Sequence, residues 1–438
     1  MLLKFQDFAR CFIGSERAAA ASAIKSRAVH SSPMPVPVPA PVPQLPDNDD
    51  LLREILLRLP PLPSSLPRAS LVCKRWRRLL SDPGFLRRFR KHHGTPPLLG
   101  YFTNDPRGPV FTPTLSPPNR IPPARFEFSL PQPHQQPAGE RLFFLGCRHG
   151  LALLINRRRL HAIVWDPVTN RQATVGYPPE FTTDNGAHCF RGTVLSGSDG
   201  GGGYGDALVP GNGSLRPFKV ILIRTEINDN RLSVLICVYE SVTGKWGNTM
   251  SAIIPSSVSN LPNVLIGNAL LCGFFQWPTG ILELDLDRQR LGVIETPKSL
   301  LHSVDCSLFR VVRAQDGGVG LAILSSLSVQ LWGRKADSGG VVGWVLEKTI
   351  ELEKLLSLPP SADSLPARIL GYDEDSNAIH LETFAGAFAI QLESMQFTEL
   401  FNVNRIGSYY YCHPYTSFYT AGWGIGEGDD RTKILNNT

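Results

Sequence analysis

Charge is sparse in this chain: Asp, Glu, Lys and Arg make up 19% of its 438 residues, below the quarter usual for globular domains. Cysteine is thinly spread, with eight residues at 11, 73, 147, 189, 237, 272, 306 and 412 and no CxxC pair. That excludes the usual zinc spacings and leaves a disulfide framework nothing to build on. The thiols read as reduced core or strand residues of a cytoplasmic or nuclear protein. No apolar run reaches the roughly 18 residues of a membrane helix, so no membrane partner is expected. The sequons at Asn212 and Asn436 read as chance matches, because no secretory signal accompanies them.

The signatures of catalysis are missing as well. There is no GxSxG elbow, no HExxH and no phosphate-cradling GxxxxGK[ST]. GGGGYG at 200–205 fits GxGxxG in form only, since no strand precedes it and no helix follows; it reads as a loop. Cys147 and His149 alternate along one strand face, and Cys412 and His413 point to opposite faces, so neither pair makes an activated thiol. No catalytic residue, metal or cofactor is expected.

What charge there is lies unevenly. Residues 47–93 hold 11 Lys and Arg against 5 Asp and Glu, and residues 1–46 hold 5 against 2. The other 345 residues carry 28 against 31, so basicity belongs to the N-terminal quarter and no nucleic-acid partner is expected. The densest run is Arg87, Arg88, Arg90 and Lys91 beside His92 and His93. It reads as a solvated helix face, with a nuclear-localisation or nucleic-acid patch as the alternative.

The richest segment is 45–76, LPDNDDLLREILLRLPPLPSSLPRASLVCKRW. Asp47, Asn48, Asp49 and Asp50 favour a helix start, and Leu51, Leu52, Ile55, Leu56 and Leu59 give a broad apolar stripe that Pro60 and Pro61 stop. A second helix is predicted from Ser64 and Ser65, with Pro67 in its first turn, through Ala69, Val72, Cys73, Trp76 and Leu79. A pair this short cannot bury both apolar faces alone, so it takes either a partner surface or the rest of the chain.

The order of residues in LPDNDDLLREILLRLPP and SLVCKRWRRLLSDPGFLRRF resembles the F-box family. The resemblance implies docking to the adaptor subunit of Skp-cullin ubiquitin ligases, with a target protein held by the domain that follows. The family pattern puts adaptor-facing or motif-core residues at Leu45, Pro46, Leu51, Ile55, Leu59, Val72 and Trp76, and the sequence does not separate the two roles. Pro67 departs from the pattern, which often has leucine there.

Around this F-box at 45–93, residues 1–32 read as a disordered leader or an organelle transit peptide, and 33–44 as a stiff proline-rich linker. From 98 to 425 the chain turns to short apolar runs broken by Gly, Pro, Asn and Asp, an all-β pattern, and 426–438 read as a flexible tail. Strands are predicted at 143–145, 151–155, 160–165, 234–239, 269–277, 281–286, 321–332, 343–350, 369–372, 378–383 and 387–392. Their period of roughly 40 to 50 residues suits propeller blades, about seven, with six or eight admissible; a β-sandwich is the alternative. The fold class is thus α+β by segment, a small helical F-box followed by a large all-β domain.

CRHGLALLINRRRLHAIVWDPVTNR at 147–171 and VYESVTGKWGN at 238–248 are similar to the F-box-associated domain of plant F-box proteins. Trp165 and Trp246 read as packing between strands or blades. The resemblance implies a non-catalytic substrate-recognition subunit whose partners are a Skp-type adaptor, a cullin through it, and a target protein bound among loops such as 181–217 or 333–343. A ligase-independent interaction module and a sugar-active or redox propeller enzyme stand as alternatives.

Overall fold

The computed structural model describes residues 48–105, 108–128, 141–182, 189–196, 215–228, 231–274, 280–297, 308–358, 367–400 and 412–419. Leu45, Pro46, the leader, the linker, the glycine run at 200–205, Asn212, Asn436 and the tail lie outside them, as does most of 181–217.

Four helices open the described chain: α1 (Asp49–Leu57), α2 (Ser65–Ser70), α3 (Lys74–Leu80) and α4 (Pro83–His93). Asn48 caps α1, its side chain accepting from the Asp50 N–H at 2.8 Å. The single helix predicted from Ser64 to Leu79 is two. Leu71 closes α2, and Cys73 is extended at φ −163° and ψ 168° before α3 begins. Ala69, Val72, Cys73 and Trp76 keep helical spacing across the break, which is why the periodicity hid it. Leu71 and Val72, however, are exposed, so no buried side chain holds a turn of helix there.

The rest of the described chain is a six-bladed β-propeller. Blade 1 is β3 (Leu142–Arg148), β4 (Leu151–Asn156), β5 (His161–Asp166) and β6 (Arg171–Gly176). Blade 2 runs β7 (Cys189–Ser196), β8 (Phe218–Asn228), β9 (Arg231–Glu240) and β10 (Lys245–Trp246), with β11 (Met250–Ile253) also on β9. Blade 3 is β12 (Val264–Ile266), β13 (Ala269–Gly273), β14 (Ile281–Asp285) and β15 (Arg290–Ile294). Blade 4 is β16 (Phe309–Arg313), β17 (Val319–Ser325), β18 (Ser328–Ala336) and β19 (Val342–Glu351); blade 5 is β20 (Arg368–Asp373), β21 (Ala378–Thr383), β22 (Gly386–Gln391) and β23 (Phe397–Leu400).

The sixth blade draws on both ends of the domain. β24 (Cys412–Thr416) pairs antiparallel with β1 (Leu98–Asp105), which pairs with β2 (Gly108–Pro113). Long-range pairing thus closes the ring. Successive sheets repeat one up-and-down order, so turns after first and third strands fall at one end of the ring and turns after second strands at the other.

Two expectations change here. The predicted strand 321–332 is the hairpin β17–β18, turning at Ser326 with φ 55°, where no Gly, Asn or Asp announced it. Residues 333–343, expected as a loop, form the tip of hairpin β18–β19, with Ala336 opposite Val342.

One turn recurs where the sequence showed only strands ending near an acid. The carboxylate of Asp166 accepts from the Val168 and Thr169 N–H groups, that of Asp285 from Asp287 and Arg288, and that of Asp373 from Asp375. The chain then passes through a left-handed residue, Asn170, Gln289 or Asn377.

The cores lie between the blades. Leu151, Leu153, Val164 and Val220 fill blades 1–2; Ile221, Ile236, Leu270 and Leu282 fill blades 2–3. Phe102, Phe126, Phe144, Trp165 and Tyr415 fill the seam between blade 1 and the closing blade. Trp165 and Trp246 pack as expected. The Trp246 indole donates to the Gly176 carbonyl of the preceding blade at 2.8 Å, and Trp344 makes the same bond to Glu295 at 2.7 Å.

At the ring's centre Arg148 reaches across the axis. Its guanidinium forks onto Glu374 at 2.5 and 3.0 Å, and also donates to Thr193 Oγ1 at 2.5 Å and the Asn263 carbonyl at 2.6 Å. Glu374 accepts from the Leu265 N–H at 3.0 Å. One ion pair, with side chains 7% and 18% exposed, therefore joins blades 1, 2, 3 and 5.

Candidate interaction surface on the helical unit

The apolar stripe of α1 is two-sided. Leu52, Leu56 and Leu57 are buried with Leu66, Ala69, Leu79, Leu80, Phe85 and Phe89. Leu51 lies outside that cluster and is 51% exposed, because adjacent helical residues point about 100° apart. The family positions accordingly divide. Leu59 and Trp76 pack against the buried cluster; Ile55 is half-buried outside it; Leu51 and Val72 are exposed, Val72 by 48%. Leu71, which sequence reasoning passed over, is the most exposed apolar residue of the unit at 69%. Only the break between α2 and α3 turns it outward, and no periodicity signals that break.

Ion pairs set the outline of this surface. Asp49 bonds Arg75 at 2.7 Å and Arg78 at 3.2 Å, fixing the start of α1 beside α3. The Arg75 hydrogen bond holds the Asp49 carboxyl below the usual carboxylate range. Leu51 follows Asp49 by two residues, about half a turn round α1, and Val72 lies just before α3 begins. Burying an exposed leucine or valine stabilises a contact by roughly 1–2 kcal/mol, which is what each of Leu51, Leu71 and Val72 holds in reserve.

A basic cleft of about 430 Å³ opens between α1 and α4, lined by Arg53, Arg87, Arg88, Lys91, Phe85 and Asp82. Glu54 pairs with Arg88 at 2.5 Å, Asp50 with Arg53 at 2.9 Å, and Asp82 caps α4 by accepting from the Phe85 N–H. Among the described residues Arg87 and Lys91 make no ion pair, so their field reaches outward and favours encounter with an acidic partner.

The helical unit is seated on the propeller. Phe418, two residues beyond β24, is 4% exposed inside the helical core, its ring 6.4 Å from that of Phe89. Asn119 Oδ1 accepts from the Ser64 backbone N–H at 3.2 Å and its hydroxyl at 2.7 Å. Replacing Asn119 with alanine leaves both half-buried Ser64 donors without this acceptor. A loss of about 1–2 kcal/mol in unfolding free energy is expected, measurable by urea titration; an unchanged midpoint would mean water replaces the bond.

Among the described residues there is no cluster of three or more His, Cys, Asp or Glu able to hold a metal, and no helix long and apolar enough to cross a membrane. The described cysteines 73, 147, 237, 272 and 412 are free thiols. Burial pushes the Cys272 thiol up to about 12 and Cys412 to about 11, the opposite of nucleophile activation.

Comparison with known families finds an F-box domain over residues 44–88 and the family described as "F-box protein AT5G49610-like, beta-propeller" over residues 144–421. No curated relative matches the chain. Among solved structures it is similar to the extracellular domain of BT4673 from B. thetaiotaomicron, at 14% identity, TM-score 0.28, covering 59% of this chain and 27% of that one. It is also similar to the PQQ-bound aldose sugar dehydrogenase of Streptomyces coelicolor, at 11% identity, TM-score 0.29, covering 60% and 86%. The WD40 domain of SCAP from fission yeast follows at 7% identity, TM-score 0.26, covering 59% and 51%. No functional reading rests on likenesses this weak.

Proposed function

Because this chain belongs to the plant-type F-box proteins that carry an AT5G49610-like β-propeller, we propose that it is the substrate-recognition subunit of a Skp-cullin-F-box ubiquitin ligase. The observation that carries the reading is the exposure of Leu51, Leu71 and Val72 on a helical unit whose core, Leu52, Leu56, Leu79 and Phe85 among it, is already closed. The unit spends its inner face on its own core and keeps an outer one for a partner. A Skp-type adaptor binds that outer face and brings the cullin, while the propeller holds the target.

No chemistry of its own is needed for this role. Holding a target beside a charged ubiquitin-conjugating enzyme turns a bimolecular encounter into a local one, through effective concentration alone. The workplace is the cytoplasm or the nucleus, where its thiols stay reduced.

The test is binding of the purified chain to a Skp-type adaptor, beside a Leu51→Asp/Val72→Asp variant of unchanged melting temperature. Micromolar or tighter binding that falls at least a hundredfold in the variant is expected. No binding by the unaltered chain would make it a ligase-independent interaction module instead.

A further inference from the structure

The turn between β4 and β5 is Arg157-Arg158-Arg159-Leu160, exposed at all four positions. It is held rigid from beneath. Asn156 is fully buried, and its side-chain oxygen accepts from the Arg158 N–H at 3.1 Å and the Arg159 N–H at 3.0 Å. The turn ends with Leu160 left-handed at φ 53°.

Two guanidinium groups flank one ring. Arg157 lies 4.5 Å from the centroid of Phe143 and 5.7 Å from that of Phe190, and Arg141 lies 5.7 Å from Phe143. Stacking fixes the plane of a guanidinium without using its N–H donors, so the fork stays free for a ligand and loses less entropy on binding. Among the described residues Arg141, Arg157 and Arg158 make no ion pair. Tyr177 lies against this turn, its N–H donating to the Leu160 carbonyl at 2.9 Å, and its buried hydroxyl has no hydrogen-bond partner among the described residues.

The position in the ring matters as much as the chemistry. The helical unit meets blade 1 at the far end, where Ser417 and Phe418 pass the turn after β3 and Arg90 feels the charge of Asp166. β5 spans six residues between Asp166 and the arginine turn, about 20 Å. A ligand on the arginines is therefore clear of the helical unit.

We propose that Arg141, Arg157, Arg158 and the Phe143 ring form the target-docking surface, and that the segment they take is an acidic stretch of a protein. Its carboxylate or phosphate groups pair with the Arg157 and Arg158 forks, and the Phe143 ring holds the Arg157 plane in place. A protein segment fits better than nucleic acid, because residues 94–438 carry 28 basic against 31 acidic side chains and offer a long polyanion no continuous track. The word target rests on the ligase reading; the binding surface does not.

The experiment uses the full chain, a fluorescent twelve-residue Glu-rich peptide, the same peptide carrying two phosphoserines, and a single-stranded oligonucleotide of equal length. The unaltered chain is expected to bind a peptide, less tightly as salt rises, and Arg157→Glu/Arg158→Glu to weaken it at least tenfold while adaptor binding is unchanged. Comparing the two peptides tells carboxylate from phosphate. The neutral variant Arg158→Gln, expected to lose several-fold, decides the matter if the double reversal melts early. The proposal is overturned if neither peptide binds, if the variants bind as well as the parent, or if the oligonucleotide binds more tightly. Loss of adaptor binding by the parent would sink the ligase reading and leave this surface standing.

Discussion

Replacing Arg148 with alanine is expected to lower the unfolding free energy by about 3–5 kcal/mol, the cost of leaving a buried carboxylate without its partner. The magnitude follows from the geometry. Glu374 is mostly buried, and alanine would leave it only the Leu265 N–H among its present partners, while Thr193 and the Asn263 carbonyl would lose a donor as well. The diagnostic variant is Arg148→Ala/Glu374→Gln. Removing both charges leaves no stranded ion, so the double variant should be more stable than the single one, even though more has been deleted. Urea titrations of the three proteins decide it; a single variant within 1 kcal/mol of the parent would show that water enters the axis and screens Glu374. Lysine at 148 should not restore the parent, since it lacks the planar fork that engages Glu374, Thr193 and Asn263 together.

Acidification from pH 6.5 towards 4 is expected to destabilise the ring by about 1.4 kcal/mol per pH unit. Two histidines drive this. His380 and His413 are 1% and 3% exposed, and each has an Nδ1 without a partner among the described residues. Burial pushes His380 down to about 3; burial and the Arg310 charge push His413 down to about 4. Both stay neutral in the fold while the unfolded chain takes up two protons below about 6.5, so their contribution, full above that pH, fades as it falls.

Asp373 works the other way. Burial, then the Asp375 carboxylate, raise it to about 7, so between about 4 and 7 the folded state holds a proton that the unfolded state has released. Its contribution is present at low pH and is lost as pH rises. For these three groups two protons against one give the slope stated; burial also lowers His149 and His93, which adds in the same direction, and Asp373→Asn should steepen the slope by about 1.4 kcal/mol per pH unit. Chemical denaturation at pH 4.5, 5.5 and 6.5 tests both claims, and stability that stays level or grows on acidification would contradict them. His380 lies against Tyr101 at 5.5 Å and His413 against Phe144 at 5.1 Å, so both strains fall on the closing blade.

Features held by local chemistry could be read directly from the sequence. The capped start of α1, its stop before Pro60 and Pro61, and the strand 378–383 between two turns are each written within a dozen residues, and the structure has them. What escaped depends on distant partners. No pattern near 98–105 says that its mate is 412–416, because that pairing joins the two ends of the domain. Nor does Arg148 look different from its neighbours until Thr193, Asn263 and Glu374 converge on it. The candidate surface divided in the same way. Helical spacing and the family order of residues both mark Leu51 and Val72, but their exposure, and that of Leu71, follows from how α1 packs and where α2 stops.

The seat of Phe418 has a consequence for synthesis. On the ribosome, α1 to α4 emerge more than three hundred residues before the aromatic side chain that completes their core. A chain stalled or cut before that point has an unfinished ring and a helical unit missing one wall. Only a chain translated through residue 418 offers both a finished platform and a finished handle, so incomplete copies compete poorly for the partners of complete ones.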